Sequence, residues 1–199
     1  MGNNIYEVKN FDSLLGLAGF SDTLLKNHFT LYQGYVANTN KLIAELKILR
    51  EEEKANTPAF AELKRRFGWE FNGLRLHEYY FANLNKNKTE LKPNGLRLAL
   101  ETEFGSLANW EKDFRATSLM RGIGWVILAY DQIGNRLFNV WVNEHDTGHL
   151  GGGVPIMVLD VFEHAYMLDY GLKKADYLEA CFKAFDWKTV EKRFAKAKD

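Results

Sequence analysis

The stretch "DVFEHAYMLDYG", residues 160–171, sets an aspartate and a histidine four residues apart, Asp160 and His164, among apolar and aromatic neighbours. A buried carboxylate costs several kcal/mol unless something pairs with it. A nearby arginine, a backbone amide or a metal ion would each serve. The run just before it, "VPIMVLDV" (154–161), is apolar and β-branched, and it follows the glycines at 151–153. That is the pattern of a buried strand.

Working outward, "GWVILAYDQIGNRLFNVWVNEH" (124–145) reads as a β-hairpin, with its turn around Gly134 and Asn135. Short helices are predicted over "LRLALETEFG" (96–105) and "SLANWEKDFRAT" (106–117), and the tail from Ala175 is helical. The first half differs in character. Ser21 and Asp22 are good N-caps, and Leu24, Leu25, His28, Tyr32, Tyr35 and Leu42 recur at helical steps up to about Arg50. "REEEKANTP" (50–58) ends that helix as a solvated tip. Thr57–Pro58 caps a second helix, which runs to about Asn83. Two long helices with a short polar connection form an antiparallel hairpin. The polar segment "NLNKNKTELKPNG" (83–95) marks a boundary. The expected architecture is therefore α+β: an N-terminal antiparallel helical hairpin domain over residues 1–90, then a C-terminal α/β domain over 91–199 with a small three-stranded antiparallel sheet.

Lysine plus arginine and aspartate plus glutamate both number 26. A net charge of zero gives no global attraction to nucleic acid or to anionic membranes, so steering of an anion must be local. The one cysteine, Cys181, excludes an intrachain disulfide and points to the cytosol. No apolar run approaches the roughly 20 residues of a membrane span. The start, "MGNNIYEVKN", lacks a signal-peptide pattern, and Tyr6 stands where a myristoylation signal wants Ser or Thr. The expectation is a soluble cytoplasmic protein with neither nucleic-acid nor membrane partners.

Of the five histidines, His28 lies on the inner stripe of the first helix and His77 among aromatics on the second. Antiparallel packing lets both imidazoles meet in one layer. With Asp160 and His164 they make three imidazoles and one carboxylate, a set that suits a transition metal. Tetrahedral zinc would fill all its positions, whereas iron or manganese would keep one open. Spacing alone does not choose between a metal site and satisfied core histidines.

The segments nevertheless resemble, in order, those of the iron/manganese superoxide dismutases. The family signature Asp-Val-Trp-Glu-His-Ala-Tyr is similar to residues 160–166. "HFTLYQGYVANTNKL" (28–42) and "LRLHEYYFANL" (74–84) resemble its first two ligand segments. "FGSLANWEKDF" (104–114), "GIGWVILAY" (122–130) and "ADYLEACFKAFDWKTVEKRF" (175–194) are similar to its later blocks. The resemblance implies a mononuclear iron site, with manganese as the alternative. His28, His77, Asp160 and His164 fall on the ligand positions, and superoxide is the implied substrate. Tyr35 falls on a gateway tyrosine and Trp125 on an aromatic wall. Lys174 stands where the family has an anion-attracting arginine. Glu163 falls on a glutamate that pairs with the partner subunit's ligand histidine, here His164, in a homodimer or homotetramer.

Several positions depart from the family pattern. His28 and Tyr35 are seven residues apart where eight is usual. Leu31 or Tyr32 stands near the place of a second gateway histidine, Phe162 replaces a tryptophan and Met167 replaces a tyrosine. The usual outer-sphere glutamine is missing: Gly73 stands at one of its two positions, and His145 is assigned its role near the other, with His149 left as a loop residue. A titrating imidazole there predicts activity that responds between about pH 6 and 7. The alternative reading keeps the fold and the metal with impaired catalysis.

Overall fold

Ser21 starts the first long helix as its sequence position requires. The structure is a computed structural model describing residues 5–87, 89–93 and 95–198, so the reading of the Met1–Gly2 start lies outside the described residues. The Ser21 hydroxyl accepts the Leu24 amide at 3.0 Å, and α1 runs Asp22–Glu51 as an uninterrupted α-helix. Thr57 caps α2, Pro58–Ala82, by accepting the Phe60 amide at 3.4 Å. On α1 the buried positions include Leu24, Leu25, His28, Tyr32, Val36, Leu42 and Leu46, the stripe expected of a helix facing one partner. That partner is α2. His28 meets His77, Tyr35 meets Gly73 and Asn38 meets Glu70, stepping up one helix as they step down the other. The pair is therefore antiparallel.

After α3 (Leu96–Phe104) and α4 (Leu107–Ser118) come three strands, β1 (Gly124–Asp131), β2 (Arg136–Asn143) and β3 (Gly153–Asp160). They form one antiparallel sheet in the order β2-β1-β3. The central strand β1 is buried over its whole length except at Asp131, which explains its unbroken apolar sequence. Trp125 pairs with Asp160 across the β1–β3 ladder, so both side chains leave the same face of the sheet. The chain ends with a short α5 (Met167–Tyr170), then α6 (Lys174–Ala184) and α7 (Trp187–Lys198). No helix among the described residues is long and apolar enough to cross a membrane.

The hairpin differs from its sequence reading at one end. The second strand stops at Asn143, and Glu144 and His145 leave the sheet. Asn143 exchanges backbone hydrogen bonds with Thr147 at 2.7 and 3.3 Å, closing a tight turn. Glu144 takes a φ of 51°. Gly148 follows at a φ of 107°, where a Cβ would come within 2.7 Å of the Trp141 carbonyl. Only glycine lets the chain reverse this sharply, and the reversal turns His145 back into the protein, where it is fully buried.

Asn83, just past α2, ties the helical pair to the rest. Its amide nitrogen donates to the Val158 carbonyl of β3 at 2.6 Å, and its side-chain oxygen accepts from Arg193 of α7. Its own carbonyl accepts the Asp186 amide at 2.6 Å. Replacing a buried residue that satisfies two others costs about 1–3 kcal/mol for each group left unpaired. Asn83→Ala is expected to lower the unfolding free energy by about 2 kcal/mol or more, and Asn83→Asp, which keeps the acceptor for Arg193 but sets a carboxylate oxygen against the Val158 carbonyl, should not restore it. Urea unfolding measures both. An unchanged midpoint for Asn83→Ala would refute this role.

Candidate metal centre

Asp160 ends β3 with its carboxylate aimed at the helical pair and fully buried. One oxygen, Oδ1, accepts the Phe162 amide at 2.9 Å, and the residue's carbonyl accepts the Tyr177 hydroxyl at 2.8 Å. The carboxylate is thus pinned on two sides, with Oδ2 left to face inward. Oδ2 lies 3.2 Å from His28 Nε2, 3.2 Å from His164 Nε2 and 3.7 Å from His77 Nε2. His28 comes from the second turn of α1, His77 from the penultimate turn of α2 and His164 from the single 3₁₀ turn after β3. These donor atoms all lie within 4.8 Å of one another. The structure therefore gathers the four residues singled out as ligands, two of them more than 80 positions from Asp160 in sequence.

The donor set fits a metal ion, and His77 tests the fit. Its Nδ1 lies 2.5 Å from the Gly73 carbonyl, which can only accept, so Nδ1 carries the hydrogen and Nε2 presents its lone pair. That Nε2 is buried and has no hydrogen-bond partner among the described residues. An orphaned acceptor in a dry interior is costly; a cation beside Asp160 would satisfy it. Burial pushes His28 and His77 below the ordinary histidine range, against the raising effect of the Asp160 carboxylate. Burial alone would raise Asp160, but its contacts with His164 and His28 outweigh it, and the carboxyl is held below its usual range. Neutral imidazoles around an ionised carboxylate are the protonation states a metal requires.

Around the four lies an aromatic shell. The Tyr35 ring stacks on His77 with centroids 5.3 Å apart, and its hydroxyl is 2.7 Å from His145 Nε2. Seven residues are two α-helical turns, so Tyr35 shares the face of His28. Gly73 makes room for it: a Cβ there would fall 2.5 Å from the ring. Trp125 sets its ring edge-on to His77 at 4.9 Å and donates its indole N–H to His145 Nδ1 at 3.0 Å. Phe162 stacks on both His145, at 4.8 Å, and His164, at 5.1 Å. Tyr32 turns away from the site; its buried hydroxyl donates to Glu78 and accepts the Lys9 amide.

Lys174 and Glu163 do not join this cluster. Lys174, half-buried, donates to the Met120 carbonyl at 3.3 Å and lies 5.7 Å over the Trp141 ring. Burial lowers its pKa, and the Asp160 charge acts against that. The Glu163 side chain is exposed, beside His164, the most open of the four at 28% side-chain exposure. Met167, Leu168 and Leu172 stand exposed on the following segment.

Of two further neighbours, Trp69 was absent from the sequence reading and His149 was left there as a loop residue. Trp69 sets its ring edge-on to His145 at 5.0 Å. It precedes Gly73 and His77 by four and eight residues, a helical-face spacing that the sequence contained. His149 donates from Nε2 to the His145 carbonyl at 2.9 Å, a contact between loop positions that no periodicity signals. The expected response of His145 near pH 6 to 7 is corrected here: burial pushes its pKa down to about 4.

Residues 92–193 match the family model described as iron/manganese superoxide dismutases, C-terminal domain. The chain is 36% identical over 186 residues to an iron superoxide dismutase of Cupriavidus metallidurans, covering 91% of each chain. It is 32% identical over 202 residues to an iron superoxide dismutase of Aquifex pyrophilus, covering 99% of this chain and 94% of that one. A manganese superoxide dismutase of Haloferax volcanii is 33% identical over 171 residues, 86% of this chain and 84% of that one.

The depressed imidazoles make a stability prediction for the metal-free protein. A histidine whose pKa is lower in the folded state contributes stability that is complete above its unfolded value near 6.5 and is lost as pH falls through the folded value. For His145 that window runs from about 6.5 to about 4, and His28 and His77 act with the same sign. Urea midpoints of the metal-free protein should fall as pH drops through this range, each imidazole adding up to about 1.4 kcal/mol per pH unit. His145→Gln should flatten the slope by one such share. A profile level from pH 6.5 to 4.5 would contradict the burial argument.

Proposed function

The chain belongs to the iron/manganese superoxide dismutase family, and from that premise we propose that it converts superoxide to oxygen and hydrogen peroxide on one iron ion per subunit, with manganese as the alternative metal. The ligands in this reading are His28, His77, Asp160 and His164. The observation that carries it is the convergence of three imidazole Nε2 atoms on one oxygen of a buried carboxylate, one of those nitrogens having no hydrogen-bond partner among the described residues. When bound, the ion supplies a one-electron couple: one superoxide gives up an electron and leaves as oxygen, and a second takes it up with two protons and leaves as hydrogen peroxide.

The chain's own residues account for the rest. The imidazoles enter neutral and Asp160 enters ionised, so the set contributes a single negative charge, which moderates the net charge of the centre in both redox states. Tyr35 lies against a ligand and holds a hydroxyl at the partly open side, where a small anion can meet a hydrogen-bond donor. Trp125, Phe162 and Trp69 surround His145 and keep bulk water from that side. With zero net charge overall, attraction of the anion falls to local cations, and Lys174 is the one proposed. An ammonium lacks a planar fork, so it attracts without fixing orientation. The exposed Glu163 and His164, next to the apolar side chains of Met167, Leu168 and Leu172, suit a homodimer or homotetramer. There Glu163 would meet His164 of the partner subunit. The fold, the single buried cysteine and the neutral charge balance are compatible with a cytoplasmic enzyme.

Elemental analysis beside an assay of superoxide removal tests the proposal. The purified protein should carry about one iron or manganese ion per chain and be active in proportion to it. Asp160→Ala should lose the metal and at least about 100-fold of the activity, since even changes beyond the ligands cost 10–100-fold. Inactivation by peroxide identifies iron; resistance identifies manganese. A fully metal-loaded protein without activity would leave the impaired-homologue reading standing. Lys174→Gln should slow the reaction several-fold at low salt, with the difference closing at high ionic strength. A salt-independent deficit would remove Lys174 from steering.

A further inference from the structure

His145 touches two partners, and only one pattern of hydrogens satisfies both. An indole N–H donates and never accepts. The Trp125 Nε1 lies 3.0 Å from His145 Nδ1 in a fully buried setting, so Nδ1 must present a lone pair. A neutral imidazole then carries its single hydrogen on Nε2. That atom is 2.7 Å from the Tyr35 hydroxyl oxygen, and a ring turned over would put carbon against both neighbours. The direction of the second bond follows: His145 Nε2–H donates and the Tyr35 oxygen accepts. The hydroxyl's own hydrogen is then committed to neither neighbour, and among the described residues it makes no other hydrogen bond. The low pKa of His145 agrees with a ring that stays neutral.

We propose that Trp125 is a positioning residue that sets the tautomer of His145, making that imidazole a donor to Tyr35 alone and leaving the Tyr35 hydroxyl hydrogen as the one donor of this trio available to a bound anion. The consequence separates this chain from one bearing an amide at the same place. A glutamine could accept from the indole and still hold two N–H donors, one for the tyrosine and one for the ion's side. His145 has one, and Tyr35 takes it. Any hydrogen bond to a guest at the ion's open side therefore comes from Tyr35. His145 acts through Tyr35 rather than on the guest directly, with its ring held between Trp69 and Phe162 and its carbonyl held by His149. What the freed hydrogen serves rests on the reading of the site given above; the tautomer does not.

Neutron diffraction of the deuterium-exchanged, metal-loaded protein reads the arrangement directly. The expected result is deuterium on His145 Nε2 and none on Nδ1, with the Tyr35 deuteron turned away from His145. Deuterium on Nδ1, or a Tyr35 deuteron lying between its oxygen and Nε2, would overturn the proposal. Long-range proton–nitrogen NMR on the metal-free protein gives the same answer in solution: a protonated-type nitrogen shift at Nε2 and an unprotonated-type shift at Nδ1. In Trp125→Phe the lock is gone, and Nδ1-protonated His145 should become populated, with Tyr35 turning to donate to Nε2. A variant that keeps the wild-type tautomer would assign the choice to another group and remove Trp125 from the role. Superoxide removal by the loaded wild-type protein, assayed on the same samples, reports separately on the reading of the site.

Discussion

One buried oxygen organises this molecule. Asp160 Oδ2 sits in a dry interior with three imidazole nitrogens facing it, and a carboxylate there is unfavourable unless the charge is matched. The contacts with His28 and His164 hold it ionised, and the unpartnered Nε2 of His77 leaves room for a cation beside it. The interior is therefore built for a cation, and the fold can be understood as the means of presenting that oxygen. The strand β3 delivers Asp160 to the edge of the helical pair. The Phe162 amide and the Tyr177 hydroxyl hold the residue from the chain side. The β1–β3 register places Trp125 beside it. Gly73, four residues before His77, lends its carbonyl to fix which nitrogen of that ring faces inward. Each neighbour constrains a direction, and together they leave one point where the lone pairs meet.

That dependence explains which features could be read from the sequence. Helix bounds depend on local chemistry, so Ser21 and Thr57 announced α1 and α2 to within a residue or two, and the apolar runs announced the three strands. Three of the four gathered side chains lie on those periodic elements, and the fourth, His164, lies one turn beyond β3. His28 and Tyr35 share a helix face by spacing alone, and the seven-residue step that looked short is simply two turns of an uninterrupted helix. Trp69 was equally legible, on the same face of α2 as Gly73 and His77, but its partner on the 143–148 turn was not. Nothing in "NEHDTGH" says that Asn143 and Thr147 close on each other and fold His145 inward. The protonation of His145 was misread for the same reason. Composition gives an imidazole its ordinary pKa, and only tertiary burial lowers it.

Three departures from the family pattern are linked by geometry. A residue with a Cβ at position 73 would collide with the Tyr35 ring, so the glycine and the tyrosine's lean against α2 require each other. The lean brings the hydroxyl to His145, which the glycine-dependent reversal at Gly148 turns inward. Phe162, smaller than the tryptophan it replaces, lies flat between the rings of His145 and His164. A glutamine on α2 at position 73 would occupy the space Tyr35 now fills. The outer layer of this centre is thus one packing arrangement in which Gly73, His145 and Phe162 all take part.

This coupling bears on how such a centre is tuned. The four gathered donors set the kind of ion and its charge, but they are indifferent to small differences between iron and manganese, whose preferred ligands overlap. Discrimination must come from groups that place hydrogens near the ion. In this chain those hydrogens run along a single line, from the Trp125 indole through His145 to Tyr35, with no branch. A shift of Tyr35 against Gly73 would move the last hydrogen and stretch its bond to His145, while the bond from Trp125 holds. The packing of α1 on α2 carries two of the donors as well, His28 against His77, so the place of Tyr35 and the place of the imidazoles are set by the same contact.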